Sequence, residues 1–195
     1  MNISLDEANI MGTDAYSNLH KHIELRISPV HGKGLFAKSH IPKGTTVWMN
    51  RNDGPMEQNY KTYTFSELES IPDENRQYIV MYGSQLTEHT ITGPESEHDV
   101  SLDNANYFNH SCSPNCLPIN ENIWIAIKDI LPNDELTIDY ITFDSNVYSN
   151  MPHCRCSSTN CRKSLRSDDY KLPDIQERYK GHFVSFIQDK IDKRQ

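Results

Sequence analysis

The cysteines of this chain fall into two clusters. Cys112 and Cys116 lie in YFNHSCSPNC, Tyr107 to Cys116, beside Asn109, His110, Pro114 and Asn115. Cys154, Cys156 and Cys161 form a C-x-C-x4-C run in HCRCSSTNC, set among Arg, Ser, Thr and Asn. A setting so polar does not bury thiols for their hydrophobicity. Close thiolates are what Zn²⁺ takes, usually four of them at tetrahedral geometry. The late cluster needs a further ligand, and on spacing alone either Cys112 or Cys116 supplies it. A redox role fits less well, because C-x-C lacks the C-x-x-C spacing of dithiol motifs. A metal closed by four thiolates has no open position for substrate, so this zinc is structural. The chemistry must then come from the residues around it.

The 195 residues suit one domain with a small appendage, and 36% hydrophobic content is enough for a core. Met1 to His22 shows no basic-then-apolar leader pattern. No stretch approaches the ~20 apolar residues of a membrane span. The expectation is a soluble intracellular protein of the nucleus or cytoplasm, without membrane contact, whose cysteines are thiols or metal ligands. The net charge of −8 is uneven: residues 162–195 carry +3 and the remainder −11. An acidic body disfavours direct nucleic-acid binding and suits a cationic partner, although it also serves solubility.

Positioning the clusters falls mainly to short strands. IELRI (Ile23 to Ile27) alternates apolar and polar residues, and TTVWM, IWIAI and ELTIDY are β-branched or alternating between turn residues. Thr64 and Glu67 make a capping box before Leu68, and Asp73 is placed to cap a helix through Tyr78 to Tyr82. The polar run Gly83 to Asp99 reads as a loop or irregular hairpin. Near the end, Ile175, Tyr179, Phe183, Phe186, Ile187 and Ile191 recur at helical spacing around Gly181, giving two short helices packed on the body.

Four segments together resemble the SET-domain protein-lysine methyltransferases, in the family's order. HGKGLFA (His31 to Ala37) looks like the glycine-containing segment beside S-adenosylmethionine, and NHSCSPN (Asn109 to Asn115) matches the Asn-His-Ser-Cys-x-Pro-Asn motif. DELTIDY (Asp134 to Tyr140) matches Glu-Leu-Thr-x-Asp-Tyr, and CRCSSTNC matches the post-SET zinc cluster. The glycine segment alone is weak; the ordered set is specific.

The resemblance implies a mostly β fold with short helices (α+β), built of small sheets with a C-terminal pseudoknot. It divides the chain into an N-terminal extension (1–22), a SET domain (23–145), a post-SET zinc segment (146–166) and a helical tail (167–195), the whole a monomer. Methylating lysine requires a neutral amine, although the free side chain has a pKa near ~10.4. It also requires that amine about 3–3.5 Å from the methyl, in line. The resemblance makes Tyr140 the catalytic residue at the end of a narrow lysine channel, and also a cofactor contact. It carries Asn109 and His110 over as S-adenosylmethionine contacts, with Lys33 and Gly34 approaching by main chain. Tyr107 packs beside the cofactor, Tyr82 and Tyr78 are further contacts, and Arg155 covers the adenine edge. It selects Cys112 as the remaining ligand, so Zn²⁺ sits on Cys112, Cys154, Cys156 and Cys161 with Cys116 a buried hydrophobe. The implied substrate is a basic protein or peptide presenting lysine, a histone among the choices.

This sequence departs from the pattern in three places. No cysteine-rich segment precedes Glu24, the insert between the motif halves is short and polar, and Ile138 stands where many relatives carry an aromatic. The tail is given a packing role only. Two alternatives stay open: a methyltransferase of a free amino acid or small amine, and an inactive binding module that keeps the fold.

Overall fold

The computed structural model describes residues 19–50, 60–146 and 150–193. Most of the N-terminal extension expected over 1–22, and part of the start of the post-SET segment, lie outside them. The main sheet has four strands in the order β1 (Ile23–Ile27), β2 (Lys33–Ala37), β10 (Glu135–Ile138) and β7 (Asn109–His110). A second sheet orders β3 (Thr46–Met49), β9 (Ile123–Ala126) and β8 (Cys116–Asn120). A third, small sheet orders β4 (Lys61–Thr64), β6 (Thr90–Gly93) and β5 (Ser84–Gln85).

The main sheet brings the motifs together. Strands β1 and β2 form a hairpin whose register runs from Ile23↔Ala37 to Ile27↔Lys33. Its turn closes with Ser28 N donating to the Gly32 carbonyl at 2.9 Å, and Gly32 has φ +51°, a left-handed conformation that a glycine adopts without strain. Strand β10 then pairs antiparallel with β2, Leu136 opposite Leu35, and parallel with β7, Thr137 opposite Asn109 and Ile138 opposite His110. The last asparagine of NHSCSPN fastens the loop to β10. Asn115 Nδ2 donates to the Glu135 carbonyl and its Oδ1 accepts from Thr137 N, both at 2.8 Å.

Helix α1 (Phe65–Leu68) carries the expected capping box, with Thr64 and Glu67 bonding each other's backbone amides. Helix α2 (Asp73–Tyr82) starts one residue away from the expected position: Pro72 is the cap residue and Asp73 lies in the first turn. There its carboxylate faces the positive end of the helix without closing a cap bond. The Gly83 to Asp99 run is a hairpin, strands β5 and β6, that leads into helix α3 (Glu97–Leu102) capped by Ser96. Pro173 opens helix α4 (Pro173–Arg178), Gly181 turns at φ +79°, and α5 (Ser185–Asp192) follows.

Leu35, Ile41, Val47, Ile130, Leu136 and Ile138 are fully buried in the main core. Each such residue contributes roughly 1.5–3 kcal/mol of transfer free energy. A second cluster joins the tail to the body: Ile175, Tyr179, Phe183 and Ile187 pack with Leu117 and Ile141. Ile141 directly follows Tyr140. The tail therefore rests on the segment that carries the motif tyrosine.

Candidate active site

Tyr140 leaves β10 on a 3-10 turn, Tyr140–Thr142, whose start is capped by the Asp139 side chain. Its hydroxyl donates to the Phe108 carbonyl at 2.9 Å. Burial pushes the phenol well above its ordinary range, so it stays a neutral donor. The ring lies 5.3 Å from His110 and 5.8 Å from Phe143, both at steep interplanar angles. An aromatic wall extends from it: Phe143 to Trp124 at 5.2 Å, Trp124 to Phe108 at 5.1 Å and to Trp48 at 4.9 Å. All five rings line a cavity of about 1130 Å³. Such a wall can take an aliphatic stem and present ring faces to a cationic head.

Lys33, Tyr82, Tyr107, Asn109, His110 and Tyr140 line this cavity, as does Tyr78. Lys33 Nζ sits 5.2 Å over the Tyr107 ring, and Tyr107 meets Tyr82 edge-on at 6.3 Å. Cys154, Arg155 and Cys156 border the same space, so the late cluster covers one side of it. Gly34, next to Lys33 in β2, is buried. A Cβ there would stand 2.2 Å from Glu135 Oε1 and 2.9 Å from Asn109 Nδ2. The missing Cβ makes room for these two side chains, and His31, Gly32 and Lys33 of the same segment line the cavity.

That arrangement explains Asn109. Its amide donates to Glu135 Oε1 at 2.7 Å and to the Lys33 and His31 carbonyls at 3.0 and 3.2 Å. Glu135 is held in turn by the Ser28 hydroxyl at 2.9 Å. With its donors engaged, the side-chain carbonyl is the group Asn109 has left to accept with, and the residue lines the cavity. Sequence reading passed over Glu135 and the aromatic wall. Trp124 had a signal in the alternation of IWIAI; Glu135 had none beyond its place in the motif.

The sulfur cluster assembles beside this cavity. His110 Nε2 and the sulfurs of Cys112, Cys154 and Cys156 all lie within 4.8 Å of one another. Cys161 Sγ is 3.9 Å from the Cys154 carbonyl. Backbone amides face the sulfurs, as metal thiolates require of their surroundings: Cys112 N to Cys156 Sγ at 3.5 Å, Arg162 N to Cys112 Sγ and Lys163 N to Cys161 Sγ at 3.4 Å. Burial alone would raise the Cys156 thiol, but bonds from Ser158 and the Cys112 amide outweigh it and lower it to about 6. Three of the four expected sulfurs thus gather as Zn²⁺ would need, with His110 beside them, while Cys161 stands next to the Cys154 carbonyl and outside that group. His110 is set up otherwise. Its Nδ1 accepts from Tyr140 N at 3.4 Å, which leaves the proton on Nε2, 3.3 Å from Cys112 Sγ. Burial lowers its pKa to about 4, partly opposed by Asp139, so it is a neutral donor to that sulfur. Cys116 is fully buried in the main core, remote in role from the cluster.

Residues 32–141 match the family model described as SET domain, more than half of the chain. The chain belongs to the SET-domain family. Among SET relatives, a SET domain-containing protein of Dictyostelium discoideum is 41% identical over 66 residues, 32% of this chain and 16% of its own length. Histone-lysine N-methyltransferase 2D of Homo sapiens is 29% identical over 157 residues, 73% of this chain and 2% of its own. Histone-lysine N-methyltransferase SETMAR of Bos taurus is 29% identical over 177 residues, 75% of this chain and 53% of its own. The chain thus spans from a fiftieth to about half the length of these relatives. No helix among the described residues of this SET protein is long and apolar enough to cross a membrane.

Besides packing on the body, the tail bonds to motif residues, and Arg162 of the preceding segment does the same. Asp139, fully buried, accepts from Arg162 Nη2 and Nη1 at 2.7 and 2.8 Å and from the Tyr179 hydroxyl at 2.9 Å. Arg162 Nε lies 3.1 Å from Asp169 Oδ2, and Arg178 Nη1 donates to the Cys112 carbonyl at 3.3 Å. A sequence shows helical spacing in the tail, but nothing in it pairs Tyr179 with Asp139.

Proposed function

We propose that this chain transfers methyl groups from S-adenosylmethionine to the side-chain amine of lysine in a protein. The observation that carries the reading is the placement of Tyr140: its hydroxyl and ring stand at an aromatic wall in the same cavity as Asn109, His110 and Lys33. Bound S-adenosylmethionine supplies an electrophilic methyl. The Asn109 carbonyl and the main chain around Lys33 and His110 are the groups that would hold it, with Tyr82, Tyr107 and Arg155 at its sides. Phe108, Trp124 and Phe143 would enclose the lysine stem, and partial exclusion of water disfavours its ammonium form. The Tyr140 oxygen, fixed by its bond to the Phe108 carbonyl, would orient the amine lone pair.

Zinc is assigned to Cys112, Cys154, Cys156 and Cys161, with His110 donating to Cys112 rather than ligating. Such a site would lock the 154–161 segment against the motif loop and so complete one side of the cavity. The domain reading follows: a SET core over 23–145 and a post-SET segment over 146–166. The described part of the tail, 167–193, belongs to the same body, since its core includes Leu117 and Ile141. A net charge of −8 favours a basic protein over nucleic acid, and a histone substrate would place the chain in the nucleus.

Incubation with labelled S-adenosylmethionine, histones, whole-cell lysate and free amino acids tests the proposal. Label in protein that survives acid hydrolysis as methyl-lysine is expected. Label only in free amines would move the reading to the small-molecule alternative, and cofactor binding without transfer to a binding module.

A further inference from the structure

We propose that Tyr179, on the C-terminal tail, is a positioning residue for Tyr140, acting through Asp139; the catalytic side of the claim rests on the methyltransferase reading above. Asp139 precedes Tyr140 and is fully buried, so its carboxylate must be satisfied by protein groups. Oδ1 accepts from Arg162 Nη2 at 2.7 Å and from Ile141 N at 3.3 Å, and stands 3.6 Å from His110 Nδ1. Oδ2 accepts from Arg162 Nη1 at 2.8 Å and from the Tyr179 hydroxyl at 2.9 Å. The tail thus supplies one of the donors that fix this carboxylate, and the carboxylate caps the turn bearing Tyr140.

Two further contacts tie the tail to that turn. Val184 N donates to the Thr142 carbonyl at 3.0 Å, and Ile141 is buried in the tail's own core cluster. The two residues that follow Tyr140 are therefore held by the tail, while the ring of Tyr140 faces the cavity. A shift of the cap would move the Tyr140 oxygen relative to the Phe108 carbonyl and the amine it orients. The groups at Asn109 and Lys33 stand on β7 and β2 and are held by the Asn109 bonds to the Lys33 carbonyl and to Glu135 at the opposite end of β10 from Tyr140, so they are expected to move less.

Tyr179→Phe removes the hydroxyl and keeps the packing ring. Its partner control is Ile175→Val, which trims the same core cluster without touching Asp139. With tyrosine labelled by ¹³C on the ring and the Tyr140 signal assigned through Tyr140→Phe, the Tyr140 resonance is expected to move in Tyr179→Phe and to stay in Ile175→Val. For Tyr179→Phe, kcat is expected to fall about tenfold, the order of one lost hydrogen bond to a charged group, with cofactor Kd and zinc content within twofold. Ile175→Val should lower Tm and leave kcat unchanged. An unmoved Tyr140 signal in Tyr179→Phe overturns the proposal, as does an equal kcat loss in Ile175→Val. If the native chain transfers no methyl, the methyltransferase reading fails on its own, and the Tyr140 signal still decides the positioning role.

Discussion

The hydroxyl of Tyr140 donates to the main-chain carbonyl of Phe108 at 2.9 Å, joining the end of β10 to the residue just before β7. A phenol held this way has one oxygen lone pair left for the substrate amine and a ring fixed as channel wall. Tyr140→Phe removes the orienting oxygen and leaves the Phe108 carbonyl without that donor, a cost of about 1–3 kcal/mol. The expected result is kcat lowered at least about tenfold with cofactor Kd within a few-fold, because the oxygen acts on the amine and not on the adenosyl group. Steady-state rates and calorimetric titration of S-adenosylmethionine check both halves. Full activity in the variant would remove Tyr140 from the catalytic role.

The same phenol bears on pH. Burial raises its pKa, so it does not ionise across the working range and imposes no falling limb there. The group that does titrate is the substrate lysine, with a free value near ~10.4. Log kcat/KM should therefore climb from neutrality with a slope approaching one. A flat profile would mean that product release limits the rate, or that another group takes the proton.

Gly34 offers a test of the packing behind the site. An alanine Cβ there would meet Glu135 Oε1 at 2.2 Å and Asn109 Nδ2 at 2.9 Å, so both side chains must give way. Both are anchored, Glu135 by Ser28 and Asn109 by two carbonyls. Gly34→Ala should destabilise by about 1–3 kcal/mol, the usual range for overpacking, and weaken cofactor binding through Asn109. Glu135→Ala in the same chain should recover part of the stability, a coupling readable in a double-mutant cycle of urea midpoints. Additive losses would show that the two residues do not share this contact.

What a sequence reveals here depends on distance along the chain. The Thr64–Glu67 box and the helical spacing of Ile175, Tyr179 and Ile187 are local, and both appear as read. The choice between Cys112 and Cys116 is not local. They are neighbours in sequence, yet one faces the sulfur cluster and the other is sealed in the core of β8. Family resemblance separated them; spacing did not. Gly34 was visible as a glycine, but its reason lies 101 residues later at Glu135. Asp139 stood inside a recognised motif, while Arg162 carried no mark and Tyr179 showed only as one apolar position of a helix, not as a partner of Asp139. Buried polar pairs of this kind have no periodicity to betray them, because each needs only one residue at one point.

Zinc gives a prediction in which Cys116 is the control. One Zn²⁺ per chain is expected, retained in Cys116→Ser and lost or weakened in Cys112→Ser, Cys154→Ser and Cys156→Ser. Cys161→Ser should behave like these three, and a retained full equivalent there would point to His110 as ligand in its place. Metal analysis after gel filtration reads the stoichiometry. Chelation should expose residues near 154–161 to protease before the strands unfold, since the metal closes that segment onto the motif loop.

His20 is one of two buried histidines, with His110, that contribute to acid sensitivity. It is buried against β3, donating its backbone N–H to the Val47 carbonyl at 2.9 Å, and its Nδ1 accepts from His22 N at 3.2 Å. Burial, then the charges of His22, Lys21 and Lys38, lower its pKa to about 4. In the unfolded chain the value returns to ~6.5. Between those two values the unfolded state binds more protons than the native state, so stability rises with pH. The contribution is complete above the unfolded value and is lost as pH falls toward 4. The slope from this one group is at most about 1.4 kcal/mol per pH unit. Urea midpoints at intervals from neutrality down to pH ~4.5 should fall in the native chain, and His20→Gln, which cannot protonate, should flatten that fall. Subtracting the two series cancels the carboxylates and the zinc thiolates common to both. Parallel curves would show that His20 titrates alike in the folded and unfolded chain, and would remove burial as the source of acid sensitivity at this position.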